Sequence, residues 1–291
     1  MKHDFVLTGT QAKSPCRRAF FGQRHPKLVF AVLCFIFCSI TFCVLASESS
    51  LFTSAPGAKV SSSGQVTLDY SNASQGYISI KHASSSRKTK VRVSYGSNTD
   101  TYDLECNGEY VVYPLKYGKG NYTVAVFANV SGTKYSQECG FTVYADITDS
   151  NICYLYPNQQ SWYTSESAAV AKADELCEGL TDDMSKITAI YNFVKEAINY
   201  DYIKALTVET GYLPDVDATL ESGMGICYDF SSLLCCMMRS QGIYCQIVTG
   251  KVNSTEYHAW NKVLVNGTWK MLDATYAGKY KSSAYSEEHC Y

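Results

Sequence analysis

The 291-residue chain lacks any block of like charge outside its N-terminus. It carries 25 basic and 27 acidic residues, a net charge of −2, whereas proteins that bind nucleic acid concentrate basic residues on one surface. We therefore exclude nucleic acid as a partner. The chain also lacks the close ligand pairs, CxxC or HxxxH, that zinc sites usually contain. We expect neither a metal nor another cofactor.

One hydrophobic run stands out at residues 28–46, which read "LVFAVLCFIFCSITFCVLA" without a charge. A helix of this length, at ~1.5 Å per residue, just crosses a hydrocarbon core of ~30 Å. The basic tail of residues 1–27 precedes it, so the positive-inside rule predicts a single-pass signal-anchor in the cell membrane with the C-terminal body extracytoplasmic. The alternative is secretion, because the small residues Val44 and Ala46 permit cleavage after Ala46.

The body divides into two regions of different periodicity. Residues 47–64 are rich in Ser, Ala and Gly and indicate a linker. Residues 65–146 alternate apolar and polar side chains in short runs, which predicts an all-β immunoglobulin-like or fibronectin-like sandwich of about seven strands. Cys106 and Cys139 fall in this sandwich and either pair as a disulfide or remain free thiols.

Residues 150–291 show helical spacing first and β alternation second, which is typical of an α+β domain. Helices are predicted over residues 165–180 and 181–202, with Thr181 as the cap of the second helix. A loop with Gly, Pro and Asp leads to a third helix that begins at Cys227. Three β-like runs follow, and Asn266-Gly267 joins the last two as a hairpin.

Cys227 lies in the stretch "ESGMGICYDFSSLLCCMMRSQG" at residues 221–242, where a glycine-rich turn opens an amphipathic helix. The unpaired N–H groups of a helix start favour negative charge, so this position suits a nucleophilic thiolate. Cys235 and Cys236 lie two turns deeper, beside Leu234 and Met237, and we interpret them as buried structural cysteines. Cys245, on the following strand, is interpreted in the same way.

A nucleophilic cysteine needs a base, and His258 is the candidate. Of the five histidines, it alone lies on a recognisable element of the same region, 31 residues after Cys227. Asp273 follows 15 residues later, across the predicted hairpin, where it can orient the imidazole. The alternatives are a structural histidine and an exposed aspartate at the end of a strand.

The blocks "GMGICYDFSSLLCCMMRSQGIYCQIVTG" and "EYHAWNKVLVNGTWKMLDATY", with Cys, His and Asp in that order, resemble the transglutaminase-like superfamily, which shares its fold with papain-type cysteine peptidases. The resemblance covers residues 165–280. It implies that Cys227 is the nucleophile, His258 the base and later the acid, and Asp273 the residue that fixes His258. The β-sandwich before this domain is similar to the architecture of bacterial membrane-bound or secreted members.

The resemblance therefore implies an extracytoplasmic thiol enzyme that cleaves or transfers at an amide of a protein or cell-wall peptide through a thioacyl intermediate. Where true transglutaminases place an upstream tryptophan, "INYDY" offers Tyr200 and Tyr202, so the second oxyanion donor is unassigned. The alternative function is a non-catalytic cell-surface binding module on a papain-like scaffold. The sequence does not distinguish hydrolysis from crosslinking and does not give the oligomeric state.

Overall fold

A computed structural model of the chain describes residues 51–291. The predicted cytoplasmic tail and membrane segment lie outside the described residues. Within residues 51–291, no helix is both long and apolar enough to cross a membrane.

The first part of the described chain consists of eight strands in two antiparallel sheets. The sheets have the orders β1-β2-β3-β6 and β5-β4-β7-β8. Alternate side chains from both sheets, such as Leu68, Ile80, Val93 and Val124, are buried in one common core. The strands are β1 Val60–Ser63, β2 Val66–Asp69, β3 Tyr77–His82, β4 Thr89–Tyr95, β5 Asn98–Leu104, β6 Val111–Pro114, β7 Gly120–Ser131 and β8 Lys134–Ala145.

Two features of this region bear on the predictions from the sequence. Strand β1 lies inside the stretch interpreted as a linker, where it pairs with β2 at the edge of its sheet. Its side chains are mostly exposed, so backbone pairing holds it and no alternation reveals it in the sequence. Cys106 and Cys139 are both free thiols in the structure, which is the second of the two alternatives.

The second part has mixed α and β content, with five helices packed beside an antiparallel sheet of order β13-β12-β11-β14. The short strands β9 and β10 pair in parallel. The helices are α1 Ala168–Cys177, α2 Asp183–Ala197, α3 Tyr202–Thr207, α4 Val216–Ser222 and α5 Cys227–Ser240, and the strands are β9 Asn199–Tyr200, β10 Met224–Gly225, β11 Cys245–Val252, β12 Glu256–Val265, β13 Thr268–Leu272 and β14 Tyr285–Cys290.

Helix α2 has the predicted apolar face but a different cap. Ile187, Ile190 and Val194 are buried in the core, as the helical spacing predicts. The prediction that Thr181 caps the helix was wrong, because the carboxylate of Asp182 accepts the N–H of Ser185 at 2.9 Å. An ionised side chain at this position also complements the positive end of the helix.

Three further elements lie where no regular structure was predicted. Helices α3 and α4 occupy the stretch between α2 and α5, and each is only about two turns long, too short for a clear apolar period. Strand β14 pairs with β11 although its sequence is mostly polar. Two of them, α3 and β14, contribute residues to the site or to the network beneath it.

Candidate active site

Cys227 is the first residue of helix α5, as the sequence predicts. The turn before it is tight, because a Cβ on Gly225 would lie 2.7 Å from the Cβ of Asp229. The N–H of Ile226 donates to the carboxylate of Asp229 at 2.8 Å. Since the N–H groups of a first helical turn have no partner within the helix, the thiol sits at the positive end of α5. The side chain is partly exposed.

The rest of α5 is embedded in the protein core. Cys235 and Cys236 are completely buried, as is Cys245 on β11. Phe230, with the leucine and methionine pairs of the helix, packs in the same cluster. The interpretation of these three cysteines as packing residues agrees with their burial, and the thiol of Cys227 is held on a rigid element.

His258 and Asp273 are in contact across the β12–β13 hairpin. The Nε2–H of His258 donates to Oδ2 of Asp273 at 2.8 Å, and both side chains are almost completely buried. The side chain of Cys227 lies close enough to the ring to raise the pKa of His258. Because Nε2 is occupied by Asp273, Nδ1 is the nitrogen left for the thiol. The structure thus brings together the three residues that the sequence singled out.

The carboxylate of Asp273 is held by four donors. Oδ1 accepts the backbone N–H groups of Thr275 and Tyr276, at 2.9 and 3.0 Å. Oδ2 accepts the hydroxyl of Tyr285 at 2.7 Å, besides the imidazole. A buried carboxylate with this many donors stays ionised and fixed in place.

Tyr285 reaches Asp273 because strand β14 lies very close to strand β11. A Cβ on Gly250 would overlap the carbonyl oxygen of Ser286, and the pairing of the two strands shifts register between Thr249 and Gly250. A glycine is therefore needed on β11 for this approach. Sequence reasoning missed Tyr285, since a polar C-terminal strand gives no β alternation that would place it in the site.

Burial and hydrogen bonding act on the two ionisable groups in opposite directions. Burial disfavours the imidazolium, but the hydrogen bonds to Asp273 and Cys227 outweigh it and raise the pKa of His258 to about 9. Burial likewise disfavours the carboxylate of Asp273, and its hydrogen bonds, chiefly that from His258, lower its pKa overall. The pair is therefore an imidazolium and a carboxylate near neutral pH.

Tyr276 packs on the face of the imidazole. The two ring centroids are 4.4 Å apart and the planes differ by 18°. The hydroxyl of Tyr276 donates to Glu256. The ring is therefore held both by its stacking on the imidazole and by this hydrogen bond. A cation over an aromatic face is stabilised, and Tyr276 thus favours the protonated ring. Tyr276 lies three residues after Asp273, in the turn that binds the carboxylate. This spacing is the signal that could have predicted its place in the site.

A buried ionic network lies beneath the start of α5. The carboxylate of Asp229 is fully buried and accepts from Lys204 Nζ at 2.7 Å and from the Tyr212 hydroxyl at 2.5 Å. Lys204 Nζ also donates to the Tyr212 oxygen at 2.7 Å. The network ties the segment that contains α3 to the helical turn that carries Cys227. The sequence signal was the acid at the third position of a predicted helix, where capping boxes place Glu or Gln.

Tyr200 lies beside the thiol, on strand β9. Its backbone pairs with Gly225 in β10, two residues before Cys227. Burial and, after it, the proximity of Cys227 raise the pKa of the phenol. Tyr200 therefore forms part of the wall of the candidate site. Tyr202 packs edge-to-face against it, with the ring centroids 5.0 Å apart, but is largely exposed. Among residues 51–291, no cluster of His, Cys, Asp and Glu has metal-binding geometry.

The comparisons with known proteins agree with this geometry. The family model of the transglutaminase-like superfamily matches residues 170–274, the segment that contains Cys227, His258 and Asp273. Residues 170–274 are therefore similar to the transglutaminase-like superfamily. The human kyphoscoliosis peptidase is 28% identical over 129 residues, which cover 39% of this chain and 19% of that protein. The chain therefore matches about a fifth of the length of this curated relative.

Two solved structures are also similar. One is a protein from Cytophaga hutchinsonii proposed to be a cysteine protease, with 16% identity, coverage of 74% of this chain and 83% of that chain, and a TM-score of 0.41. The other is the periplasmic domain of TgpA from Pseudomonas aeruginosa, with 13% identity, coverage of 75% and 95%, and a TM-score of 0.35. The similarity to the superfamily rests on the family model alone.

Proposed function

We propose that this chain is an extracytoplasmic thiol enzyme that attacks an amide carbonyl of a protein or peptide through Cys227, His258 and Asp273. The hydrogen bond between His258 Nε2 and Asp273 carries the proposal. It leaves Nδ1 for the thiol and fixes the plane of the ring. A thiol, an imidazole and an orienting acid in this order are the parts that nucleophilic catalysis needs.

The first half of the reaction forms a thioester. With the thiol proton on His258 Nδ1, the sulfur of Cys227 adds to the carbonyl carbon of the amide. The C–N bond then breaks, and the leaving amine takes the proton from His258. The imidazolium stabilises the thiolate before attack, and the carboxylate of Asp273 stabilises the imidazolium. The acyl group is left on the sulfur.

The second half returns the enzyme to its starting state. Water or a second amine gives a proton to His258 as it attacks the thioester, and the C–S bond breaks to regenerate the thiol. The two acceptors yield hydrolysis or acyl transfer respectively. The developing oxyanion lies near the backbone N–H of Cys227, one of the unpaired donors of the helix start. The neighbouring N–H of Ile226 is already bound to Asp229.

The location and architecture belong to the same proposal. The uncharged run at residues 28–46, after a basic tail, supports a single-pass anchor in the cell membrane, or secretion if it is cleaved after Ala46. The two facing antiparallel sheets of residues 60–145 support an immunoglobulin-like module that precedes the enzyme domain. Substrates would then be extracytoplasmic proteins or cell-wall peptides.

The test is an amine-incorporation assay beside a hydrolysis assay. The purified full chain is incubated with casein and a biotinylated primary amine, while new peptide ends and released ammonia are measured in parallel. We expect at least one product, and its nature distinguishes acyl transfer from hydrolysis. Cys227→Ala should lower its rate by at least about 10⁴-fold, because the nucleophile is lost.

Cys290→Ala is the matched control, because Cys290 is also partly exposed but lies outside the site. It should leave the rate unchanged. Full activity in Cys227→Ala would contradict the proposal and favour the alternative, a non-catalytic surface module.

A further inference from the structure

Helix α3 is the reverse of an ordinary surface helix: its lysine points inward and its large apolar side chains point outward. Its lysine, Lys204, points inward to the buried Asp229. Its large apolar side chains point outward, with Tyr202 and Ile203 each 73% exposed and Leu206 86% exposed. Surface helices bury their apolar face, and clustered exposed apolar side chains mark binding surfaces.

The inverted helix is held firmly in place. Lys204 Nζ binds both Asp229 and Tyr212, and the helix is capped by Asp201, which accepts the N–H of Lys204 at 2.9 Å. The ionic anchor ends at a carboxylate that has no exposed area. The exposed side chains of α3 are therefore presented at a fixed distance from the first turn of α5, where Cys227 lies.

A groove runs between α3 and the turn that follows Asp273. We call it the α3 groove, and its walls include Tyr200, Tyr202, Ala205, Leu206, Tyr276 and Lys279. Tyr276 is also the ring that stacks on His258, and Tyr200 is the neighbour of the thiol. The groove thus adjoins the proposed site through Tyr200 and Tyr276.

The charges of the groove do not select an ion of either sign. Glu256 accepts the hydroxyl of Tyr276, and the ammonium of Lys279 lies over the rings of Tyr276 and Tyr280 at 5.0 and 4.9 Å. The carboxylate of Glu256 and the ammonium of Lys279 thus both contact Tyr276. The other walls include aromatic and aliphatic side chains, which are complementary to an apolar side chain.

We propose that the α3 groove binds a large apolar side chain of the polypeptide whose carboxamide is attacked by Cys227. This inference rests on the proposed function and adds a substrate class to it: peptides with an aromatic or branched aliphatic residue near the reacting amide. Leu206 and Tyr202 are the specificity-determining residues. The anchor of Lys204 on Asp229 positions them.

The experiment measures how well peptides protect Cys227 from iodoacetamide in the full chain, with alkylation read at that residue by peptide mass spectrometry. Blocked octapeptides of Gly and Ser carry either one Phe or one Asp at the centre. The Phe peptide should half-protect at a concentration at least about tenfold lower than the Asp peptide, the discrimination typical of an apolar pocket. Leu206→Glu should abolish this difference.

Val130→Glu is the matched control, because Val130 is 62% exposed and lies in the β-sheet region. It should keep the preference for Phe. Equal protection by both peptides, or a preference that survives Leu206→Glu, overturns the inference. So does a change from dimer to monomer in Leu206→Glu, because the occupant is then a second copy. Failure of the proposed function is seen separately, as an absence of product with casein, since the protection readout needs only a labelled Cys227.

Discussion

Two buried histidines of this chain each bind a carboxylate, but their surroundings differ. In the β-sheet region, His82 Nε2 lies 3.2 Å from Glu138, whose side chain is 28% exposed. In the transglutaminase-like domain, His258 Nε2 lies 2.8 Å from Asp273, which is 4% exposed. Both histidines lie on strands, so strand position and burial do not distinguish a structural pair from a reactive one.

The two pairs differ in what surrounds the second ring nitrogen and the carboxylate. Nδ1 of His82 is buried without a hydrogen-bond partner in the described part of the chain, whereas the His258 ring binds Asp273 and also lies close enough to Cys227 for that side chain to raise its pKa. Asp273 in turn has three further donors. A reactive imidazole thus needs an acceptor fixed on one nitrogen and a reacting group on the other.

The largest expected effect separates the two pairs directly. Asp273→Asn keeps the size of the side chain but removes its charge, so the imidazolium loses its stabilising partner and its fixed tautomer. We expect kcat to fall by roughly 10²–10⁴-fold. Glu138→Gln makes the same chemical change at His82 and should leave kcat unchanged. Equal losses in the two variants would show that both act through folding alone.

The second effect is on pH dependence. His258 must be protonated to give a proton to the leaving amine, and its pKa is about 9. The rate of acylation should therefore fall by about tenfold per pH unit above pH 9. Alkylation of Cys227 by iodoacetamide needs no proton donor and should not fall there. Parallel losses of both rates would contradict the assigned role of His258.

The same pKa predicts how stability changes with pH. Because the folded pKa of His258 lies above its ordinary 6.5, its contribution is fully present below about pH 6.5 and is lost as the pH rises through about 9. Asp273 has a lowered pKa, so its contribution is lost as the pH falls. The difference in unfolding free energy between the wild type and His258→Gln, measured in urea from pH 6 to 10, should shrink with rising pH. If the difference in unfolding free energy stayed constant over this pH range, the raised pKa of His258 would be contradicted.

The smallest expected effect concerns a single hydroxyl in each region. Tyr285→Phe removes one of the donors to Asp273, and Tyr113→Phe removes a hydrogen bond to the Asp103 carbonyl in the β-sheet region. Each should lower the unfolding free energy by about 1 kcal/mol. Only Tyr285→Phe should also lower kcat, by about threefold to tenfold, and move the acid limb of the rate profile to higher pH. A lowered kcat in both variants would assign the effect to stability.

The sequence predicts the parts of this structure whose signals are local. The apolar spacing of α2 and α5 and the Asn-Gly hairpin between β12 and β13 are visible in short windows. They place Cys227 on a helix start and His258 on a strand, while Asp273, expected on a strand, directly follows the end of β13. The order of the three residues then suffices for a hypothesis about the site. The same reasoning predicts the β-sheet region from its alternation.

Other parts depend on contacts between distant segments. Strands β1 and β14 are polar edge strands, and only pairing with a neighbour makes them strands. Tyr285 joins the site because Gly250 permits close approach, and Lys204 joins it because Asp229 is buried beneath α5. None of these partners follows from spacing along the chain, since tertiary contacts override local preference.

The central claim is that His258, held by Asp273, makes Cys227 the reactive thiol of the chain. Cys106, Cys227 and Cys290 are the partly exposed thiols of residues 51–291, and the first and last serve as internal controls. Iodoacetamide labelling at pH 7, resolved by peptide mass spectrometry, should modify Cys227 at least about tenfold faster than either control, and His258→Ala should remove that lead. Equal labelling of the three thiols, or a lead that survives His258→Ala, would contradict the account.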